Sequence, residues 1–441
     1  MCLIGMVSLG CSKNQVDAER MLFKIKEAGF KIAEDPALSD IVIVNTCGFI
    51  ESAKTEAIET IFEFALLKKE GRIKKLVVTG CLSERYKKEA AELLPEADAV
   101  LGIGCNDEIV SVLKRVWEEE RVCLFPENTK LSLEGGRVQT TLSFYSYLKI
   151  ADGCSNCCSY CSIPLIRGEY RSVPIEALLK EAETLAENGV KELNIIAQDS
   201  TRYGIDLYGT YKLPELLHKL CGISGLKWIR LLYCYPELIT DELLDVIARE
   251  EKIVKYIELP LQHCDGEILK NMNRPGDADS LRGIISKIRQ AIPDVTLRTT
   301  FITGFPGETE EQFERLCNFT DEIKFERLGC FAYSAEEGTK AADLDGQLDE
   351  DEKQRRADII MERQAIIMNK YNQRFIGSNI EVITEGFDRY GECYFGRSKA
   401  DAPDIDGKVF FTSKKKLYPG EFVPVNITEV LDYDLIGAVL V

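Results

Sequence analysis

The sequence predicts an α/β protein with three parts: an N-terminal small parallel-sheet domain, a central partial (β/α)6 barrel and a C-terminal small β-barrel. Two observations lead to this fold class. Short apolar runs alternate with amphipathic helical runs over most of the 441 residues, and near the C-terminus only short β-like runs remain. Strands that alternate with helices are typical of parallel sheets covered by helices. We expect domains at 1–126, 138–370 and 371–441.

The first domain contains apolar runs that each end in a turn bearing Gly or Cys. The strand candidates are Met6–Leu9, Ile41–Asn45 and Lys75–Thr79, and helical patterns at Asp17–Glu27 and Ala53–Lys69 separate them. This order predicts a small parallel sheet.

A polar, Gly-containing stretch at Glu127–Arg137 predicts a linker, and six strand candidates follow it. These candidates are Tyr147–Ile150, Glu192–Ala197, Trp228–Tyr233, Tyr256–Leu261, Thr296–Thr303 and Arg327–Tyr333. Helical patterns such as Ile175–Glu187, Asp279–Gln290 and Glu310–Ile323 lie between them. Six strand–helix units predict a partial barrel that is open on one side. Functional residues of such barrels lie at the carboxyl ends of the strands.

The last segment follows a charged helical pattern at Asp349–Asn369. Its β-like runs are Asn379–Thr384, Lys408–Phe411 and Glu421–Glu429, and Gly and Pro residues punctuate them. Short strands of this kind predict a small β-barrel.

The formal net charge of −18 argues against binding nucleic acids through their phosphates, which requires basic surfaces. It suits a basic protein partner, although an acidic surface also simply favours solubility. No apolar run approaches the roughly 18–20 residues that span a bilayer. The first residues lack the basic segment that begins a signal peptide. We therefore expect a cytoplasmic protein that does not contact a membrane.

The chain contains sixteen Cys but only two His. In a reducing cytoplasm so many Cys do not form a disulfide framework. Catalytic zinc sites usually draw on several His, which are scarce here. Ligation by thiolates alone favours iron–sulfur chemistry.

Cys154, Cys158 and Cys161, which we call the central triad, lie just after a strand candidate at positions i, i+4 and i+7. A short loop with this spacing can hold one 4Fe-4S cluster by three thiolates and leave one iron open. An open iron can chelate S-adenosylmethionine, whose sulfonium bond the reduced cluster then splits to give a radical. With Cys157 the segment also forms two abutting CxxC pairs, which would strain a tetrahedral zinc site. The spacing therefore favours a cluster, with Cys157 as a non-ligand.

Cys11, Cys47 and Cys81, which we call the N-terminal triad, each stand where an apolar strand gives way to a turn. In an open parallel sheet those strand ends meet at one edge, where ligands bind. Three thiolates there predict a second 4Fe-4S cluster, although buried Cys also serve as small hydrophobic residues.

These features together resemble the methylthiotransferases, a family of radical-SAM enzymes whose C-terminal piece is a TRAM domain. Within that family, the run Ser8–Glu19 resembles the branch that modifies ribosomal protein S12, whereas members that modify transfer RNA tend to have Gly-Cys-Gln-Met-Asn there. The runs Leu259–His263, Thr303–Thr309 and Gly396–Gly407 also resemble that branch. Ser12 stands where Pro is usual and alters only a turn residue.

The resemblance implies two 4Fe-4S clusters and two uses of S-adenosylmethionine. One molecule methylates a sulfur at the N-terminal cluster, and a second is cleaved at the central cluster. The radical then takes hydrogen from the β-carbon of an aspartate of S12, which receives the methylthio group. The implied partners are S12, on the small subunit or its assembly intermediates, an external electron donor and a sulfur source. From residue 377 onward, seven Lys and Arg stand against eleven Asp and Glu, so we expect no direct nucleic-acid readout.

The S-adenosylmethionine pocket is expected along the strand ends of the barrel. The candidate residues are Tyr160, Glu192, Gln198, Arg298 and Thr300. Residues alternate between the two faces of a barrel strand, so inward packing is an equally good interpretation of each. We assign no catalytic residue beyond the clusters.

Two other functions stay open at this point. The chain could be a methylthiotransferase of transfer RNA adenosine, or a non-enzymatic iron–sulfur or zinc protein. Electron-transfer clusters are usually closed by four Cys, which argues against the second alternative.

Overall fold

A computed structural model describes residues 2–440 and confirms the three-part α/β fold. The N-terminal strands are β1 (Leu3–Ser8), β2 (Lys31–Ile32), β3 (Ile41–Thr46), β4 (Lys75–Gly80), β5 (Ala99–Leu101) and β6 (Val122–Leu124). The helices are α1 (Ser12–Glu27), α2 (Glu51–Lys69), α3 (Cys81–Leu93) and α4 (Ile109–Trp117). The six strands form one parallel sheet in the order β2-β1-β3-β4-β5-β6.

Every residue of the central strands β3 and β4 is buried. Helices cover both faces of a parallel sheet, so its strands consist of near-continuous β-branched and apolar residues rather than alternating ones. Two separate hydrophobic clusters, one on each side of the sheet, reflect this packing. The short strands β2, β5 and β6 were not predicted, because two or three residues are too few to show a pattern.

The central domain contains a second parallel sheet. The strands of this domain are β7 (Tyr145–Lys149), β8 (Ala151–Asp152), β9 (Arg171–Ser172), β10 (Glu192–Ile196), β11 (Trp228–Leu231), β12 (Ile253–Gln262), β13 (Thr296–Thr303) and β14 (Arg327–Ala332). The sheet runs in the order β14-β13-β12-β11-β10-β7, while β8 and β9 pair separately. This open six-stranded sheet confirms the predicted partial barrel.

Nine helices of the described chain accompany this sheet. They are α5 (Ile163–Arg167), α6 (Ile175–Glu187), α7 (Ile205–Tyr208), α8 (Leu213–Cys221), α9 (Asp241–Arg249), α10 (Gly266–Asn271), α11 (Ala278–Ala291), α12 (Glu310–Ile323) and α13 (Glu350–Gln373). Alternate residues of each strand face the helices, as Leu193 and Ile195 do in the largest hydrophobic cluster. Ile196 lies on the opposite, concave face, where it packs with Val16 of α1.

The C-terminal domain is a closed barrel of five strands. They are β15 (Asn379–Asp388), β16 (Cys393–Ser398), β17 (Val409–Thr412), β18 (Phe422–Leu431) and β19 (Asp434–Val439), in the order β15-β16-β17-β19-β18. Closure leaves no strand edge unpaired. Among residues 2–440, no helix has the length and apolarity needed to cross a membrane.

Candidate active site: two facing cysteine triads

The N-terminal triad occupies one edge of the first sheet. Cys11 directly precedes α1, Cys47 follows β3, and Cys81 is the first residue of α3. The strands β1, β3 and β4 are neighbours, so their carboxyl ends lie side by side. The thiols are close enough for Cys11 and Cys47 to raise the pKa of Cys81 by their charge.

Glycines allow these loops to approach each other. A Cβ atom added to Gly10, whose φ is +84°, would lie 2.7 Å from the Sγ atom of Cys47. A Cβ atom on Gly48 would lie 2.7 Å from the backbone nitrogen of Leu82, next to Cys81. A side chain at either position would therefore push the cysteine loops apart.

Asn14 joins two of the loops by hydrogen bonds. Its side-chain amide donates to the carbonyl oxygens of Leu9 at 2.9 Å and Thr46 at 3.2 Å. In return the Asn45 side chain donates to the Asn14 carbonyl at 2.9 Å. These bonds fix the turn before Cys11 against the turn that carries Cys47.

Burial raises the pKa of the Cys81 thiol to about 12, and it also raises the pKa of Cys47. The Arg167 guanidinium opposes the shift at both positions, and the backbone N–H groups of Gly48 and Phe49 donate to Cys47. A buried thiol of this kind becomes a ligand by losing its proton to a metal. The nearby cation and N–H donors stabilise the thiolate that results.

The central triad lies on the loop after β8. Cys154 and Cys158 are buried and Cys161 is partly buried. Burial raises the pKa of Cys154 to about 11 and of Cys161 to about 12, and the thiols also act on one another by charge. Backbone N–H groups of Asn156 and Ile163 donate to these two thiols.

Cys157 is exposed, with its backbone in the left-handed region at φ +53°. Its carbonyl oxygen accepts a hydrogen bond from Asn273 at 2.9 Å. This conformation turns Cys157 out of the loop that the central triad forms.

Cys158 is enclosed by two tyrosines and an arginine. The Tyr235 hydroxyl lies 3.5 Å from its Sγ atom, and the Arg274 guanidinium lies 4.0 Å from it. Arg274 also stacks over the Tyr235 ring at 4.5 Å and donates to the Tyr160 hydroxyl at 3.5 Å. Tyr160, a predicted pocket residue, therefore lies beside the central triad, and burial raises its pKa well above the ordinary value.

The two triads face each other across the domain boundary. Ser162, next to Cys161, donates to the carbonyl oxygen of Phe49 at 3.5 Å, two residues beyond Cys47. Ile166 of α5 packs against Cys81 in one small hydrophobic cluster. The structure thus brings together the two cysteine sets that the sequence placed in separate domains.

Buried charges fill the space between the triads. Arg167 pairs with Asp17 at 2.6 Å and with Asp152 at 3.2 Å, and Lys149 pairs with the same two carboxylates. Burial alone would raise the pKa of Asp152, but Lys149 and Arg167 outweigh it and hold that pKa below its usual range. Asp152 is therefore ionised, and the two buried cations lie against two carboxyl groups.

Three further pocket candidates lie on the concave side of the sheet. Gln198 donates to Asp152 at 3.3 Å, and its side-chain oxygen is buried without a hydrogen-bond partner within residues 2–440. Arg298 donates to Thr300 at 3.3 Å and to Glu258 at 3.1 Å. These residues remain candidates for holding S-adenosylmethionine.

Glu192 lies elsewhere. It is the first residue of β10, at the opposite end of the strand from Gln198. Its carboxylate is fully buried and pairs with Arg397 at 2.6 Å and with Arg230 at 3.0 Å. Because both oxygens are engaged in this link to the C-terminal barrel, we leave Glu192 out of the proposed pocket.

Within the described part of the chain, no group of three or more His, Cys, Asp or Glu side chains is arranged to hold a single metal ion. A cubane cluster differs from such a site, because its three thiolates each bind a different iron. A surface groove of about 900 Å³ lies between α12 and α13, away from both triads.

Sequence reasoning missed the residues around the cysteines: Asp17, Lys149, Arg167, Tyr235 and Arg274. The sequence positions of Arg167 and Lys149, close to the central triad, gave a weak indication that they have a role. A charged side chain buried beside a cysteine loop requires a partner of opposite charge. No local pattern marks Tyr235 or Arg274, which reach Cys158 from distant segments.

Comparison with known proteins shows which families this chain resembles. Three family profiles match: Uncharacterized protein family UPF0004 over residues 4–102, Radical SAM superfamily over 148–320 and TRAM domain over 376–440. Three similar relatives are each named ribosomal protein uS12 methylthiotransferase RimO. The protein from Thermoanaerobacter sp. (strain X514) is 49% identical, over 98% of this chain and 99% of its own. The protein from Caldanaerobacter subterraneus subsp. tengcongensis is 50% identical, over 98% and 99%. The protein from Clostridium tetani is 46% identical, over 99% and 97%.

A solved structure shares the fold at low identity. The radical S-adenosylmethionine methyltransferase TsrM from Kitasatospora setae superposes with a TM-score of 0.56 at 13% identity, over 75% of this chain and 73% of that one. This likeness concerns the arrangement of the chain alone.

Proposed function

The chain belongs to the ribosomal protein uS12 methylthiotransferase RimO family, and from this membership we propose that it adds a methylthio group to the β-carbon of an aspartate of ribosomal protein uS12. The single observation that carries the proposal is the pair of facing cysteine triads. A substrate carbon must be positioned for both radical formation and sulfur delivery, and adjacent sites permit this.

The donor sets fit the implied cofactors. Each triad supplies three thiols, with N–H donors or a cation beside them, which is the environment that iron–sulfur clusters require. The unpartnered side-chain oxygens of Gln198 and Gln262, within the described chain, lie at or just beyond the carboxyl ends of β10 and β12. They are suitable acceptors for the amino group of S-adenosylmethionine.

We therefore propose that Cys11, Cys47 and Cys81 bind one 4Fe-4S cluster and that the central triad binds the other. When bound, the clusters and S-adenosylmethionine supply the radical and the sulfur chemistry.

The surrounding side chains orient and enclose these groups. Tyr235 and Arg274 cover Cys158 and keep water from it, and Tyr160 is held beside them by Arg274. Gln198 is oriented by its bond to Asp152, so that its free oxygen is available to a ligand. Exclusion of water protects a radical from side reactions.

The proposed protein partner, uS12, is supported by the net charge of the chain as well as by the names of its relatives. A chain with net charge −18 attracts a basic ribosomal protein and repels exposed RNA phosphates. We propose that uS12 is met in the cytoplasm, on the small subunit or its assembly intermediates, and that an external donor supplies electrons.

The test uses full-length chain loaded anaerobically with iron and sulfide. It is incubated with S-adenosylmethionine, dithionite and a sulfide source, together with either a uS12 peptide or unmodified transfer RNA. We expect about eight irons per chain, four for each cluster, and a mass gain of one methylthio group on the peptide aspartate. Stoichiometric zinc in place of iron, or modification of the RNA alone, would contradict the proposal.

A further inference from the structure

Arg167 is a buried cation that touches the N-terminal triad from the central domain. It is the last residue of α5, six residues after Cys161, and only 2% of it is exposed. One guanidinium nitrogen lies 3.3 Å from the Sγ atom of Cys81 and 3.3 Å from the side-chain oxygen of Asn14. The chain segment that carries the central triad thus also supplies a hydrogen-bond donor to the other triad.

Two carboxylates hold the guanidinium in this position. The other terminal nitrogen of Arg167 pairs with Asp17 of α1 at 2.6 Å and with Asp152 of β8 at 3.2 Å. Lys149 contacts the same carboxylates, so that two acids and two cations balance. Arginine keeps its proton at every accessible pH, so the donor to Cys81 is permanent.

Such a donor changes the electronic state of a thiolate-bound cluster. Hydrogen bonds to the ligating sulfurs and nearby positive charge are among the factors that set the reduction potential of iron–sulfur clusters. Reduction adds negative charge, which a buried guanidinium stabilises more strongly than water-screened surface charges do. A cation at 3.3 Å from Cys81 therefore favours the reduced form.

We propose that Arg167 is a positioning residue that raises the reduction potential of the cluster held by the N-terminal triad, through its hydrogen bond to the Cys81 sulfur. Asp17 and Asp152 orient the guanidinium for this bond. The inference rests on the proposed function only in requiring that the N-terminal triad binds a cluster.

The experiment measures midpoint potentials on the full-length, cluster-loaded chain by dithionite titration followed by electron paramagnetic resonance. A chain with Cys154, Cys158 and Cys161 replaced by Ala identifies the signal of the N-terminal cluster. We expect R167Q to lower its potential by at least 59 mV, which is a tenfold change in a one-electron equilibrium. The potential of the central cluster, measured in the chain with both sites intact, should move less.

Two further variants guard against a simple folding defect. R167K keeps the charge but loses the forked geometry, so we expect a smaller decrease. D17N is nearly isosteric, and its amide oxygen can still accept the hydrogen bond that orients Arg167. The variant then removes only a negative charge, so we expect the opposite sign, an increase in potential. R327Q is the matched control, because Arg327 is buried and pairs with Asp401 at 2.6 Å rather than with a cysteine in the described chain. It should leave both potentials unchanged.

The outcomes separate this inference from the proposed function. An N-terminal signal whose potential stays constant in R167Q and D17N would overturn the role of Arg167 alone. Equal shifts of both clusters in R167Q would also overturn it, since they indicate a general change of the fold. The absence of any N-terminal signal in the unmodified chain would overturn the proposed ligand set and this inference with it.

Discussion

Replacing Gly10 by alanine should disrupt the N-terminal triad while it leaves the central triad intact. The added Cβ atom would lie 2.6 Å from the Cβ atom and 2.7 Å from the Sγ atom of Cys47. The Cβ atom cannot move without displacing the loop between β3 and α2, which Asn14 holds by hydrogen bonds, and the Sγ atom can move only by turning away from its present position in the triad. Relief of the clash therefore separates Cys11 from Cys47.

The magnitude follows from two contributions. An alanine at φ +84° costs about 1–2 kcal/mol, because its Cβ approaches the following carbonyl oxygen. Overpacking against Cys47 adds about 1–3 kcal/mol. We therefore expect the free energy of unfolding to fall by about 2–5 kcal/mol in total.

Gly29 offers a matched control at φ +86°, since among the described residues no atom lies within 4 Å of a Cβ built there. G29A should cost only the backbone contribution of about 1–2 kcal/mol and should keep both clusters. The assay is urea unfolding of the metal-free chain, together with iron analysis after loading. G10A should hold about four irons instead of about eight. Full iron content in G10A, or equal destabilisation by both variants, would refute this reasoning.

Other changes have equally specific outcomes. C158A should lose about four irons and form no 5′-deoxyadenosine, whereas C157A should keep both clusters and form this product. Loss of the central cluster in C157A would show that Cys157 is a ligand of that cluster. C47A should still cleave S-adenosylmethionine but transfer no methylthio group to a uS12 peptide, as mass spectrometry can show. E192Q removes the carboxylate that the buried Arg230 and Arg397 share, leaves Arg230 without an acidic partner in the described chain, and should cost about 3–5 kcal/mol in urea unfolding. Arg397 and Arg230 outweigh burial and lower the pKa of Glu192, so its contribution is full above the ordinary glutamate pKa and disappears as pH falls through the lower folded value. The difference between wild type and E192Q should therefore shrink in acid; a constant difference would contradict the ion-pair role.

The strands and helices that sequence patterns predicted best are long and repetitive. The structure places β13 at Thr296–Thr303, α6 at Ile175–Glu187 and α12 at Glu310–Ile323, with the predicted bounds. The prediction missed β16 and β19 of the C-terminal barrel. Glycines, turns and partly buried aromatic residues interrupt the alternation in those strands, and their pairing comes from closure of the barrel.

The cysteine sites were accessible to sequence reasoning for two different reasons. The central triad falls within eight consecutive residues, so the spacing of Cys154, Cys158 and Cys161 limits where their thiols can lie. The N-terminal triad is spread over seventy residues, but each member follows a strand, and adjacent parallel strands bring such positions together. The spacing of the residues was sufficient to predict the central triad, and the topology of the sheet was sufficient to predict the N-terminal triad.

The sequence by itself thus determined the fold class, the two sets of three thiols and the family resemblance. Only the tertiary structure decided that the triads face each other, that Glu192 serves the link to the C-terminal barrel, and that Arg167 reaches Cys81. Arg167 and Cys81 are 86 residues apart in the chain, and Glu192 and Arg397 are 205 apart. No periodicity in the sequence links residues so far apart. Their contact depends on how whole domains pack, and that packing decides which buried charges lie close enough to neutralise each other.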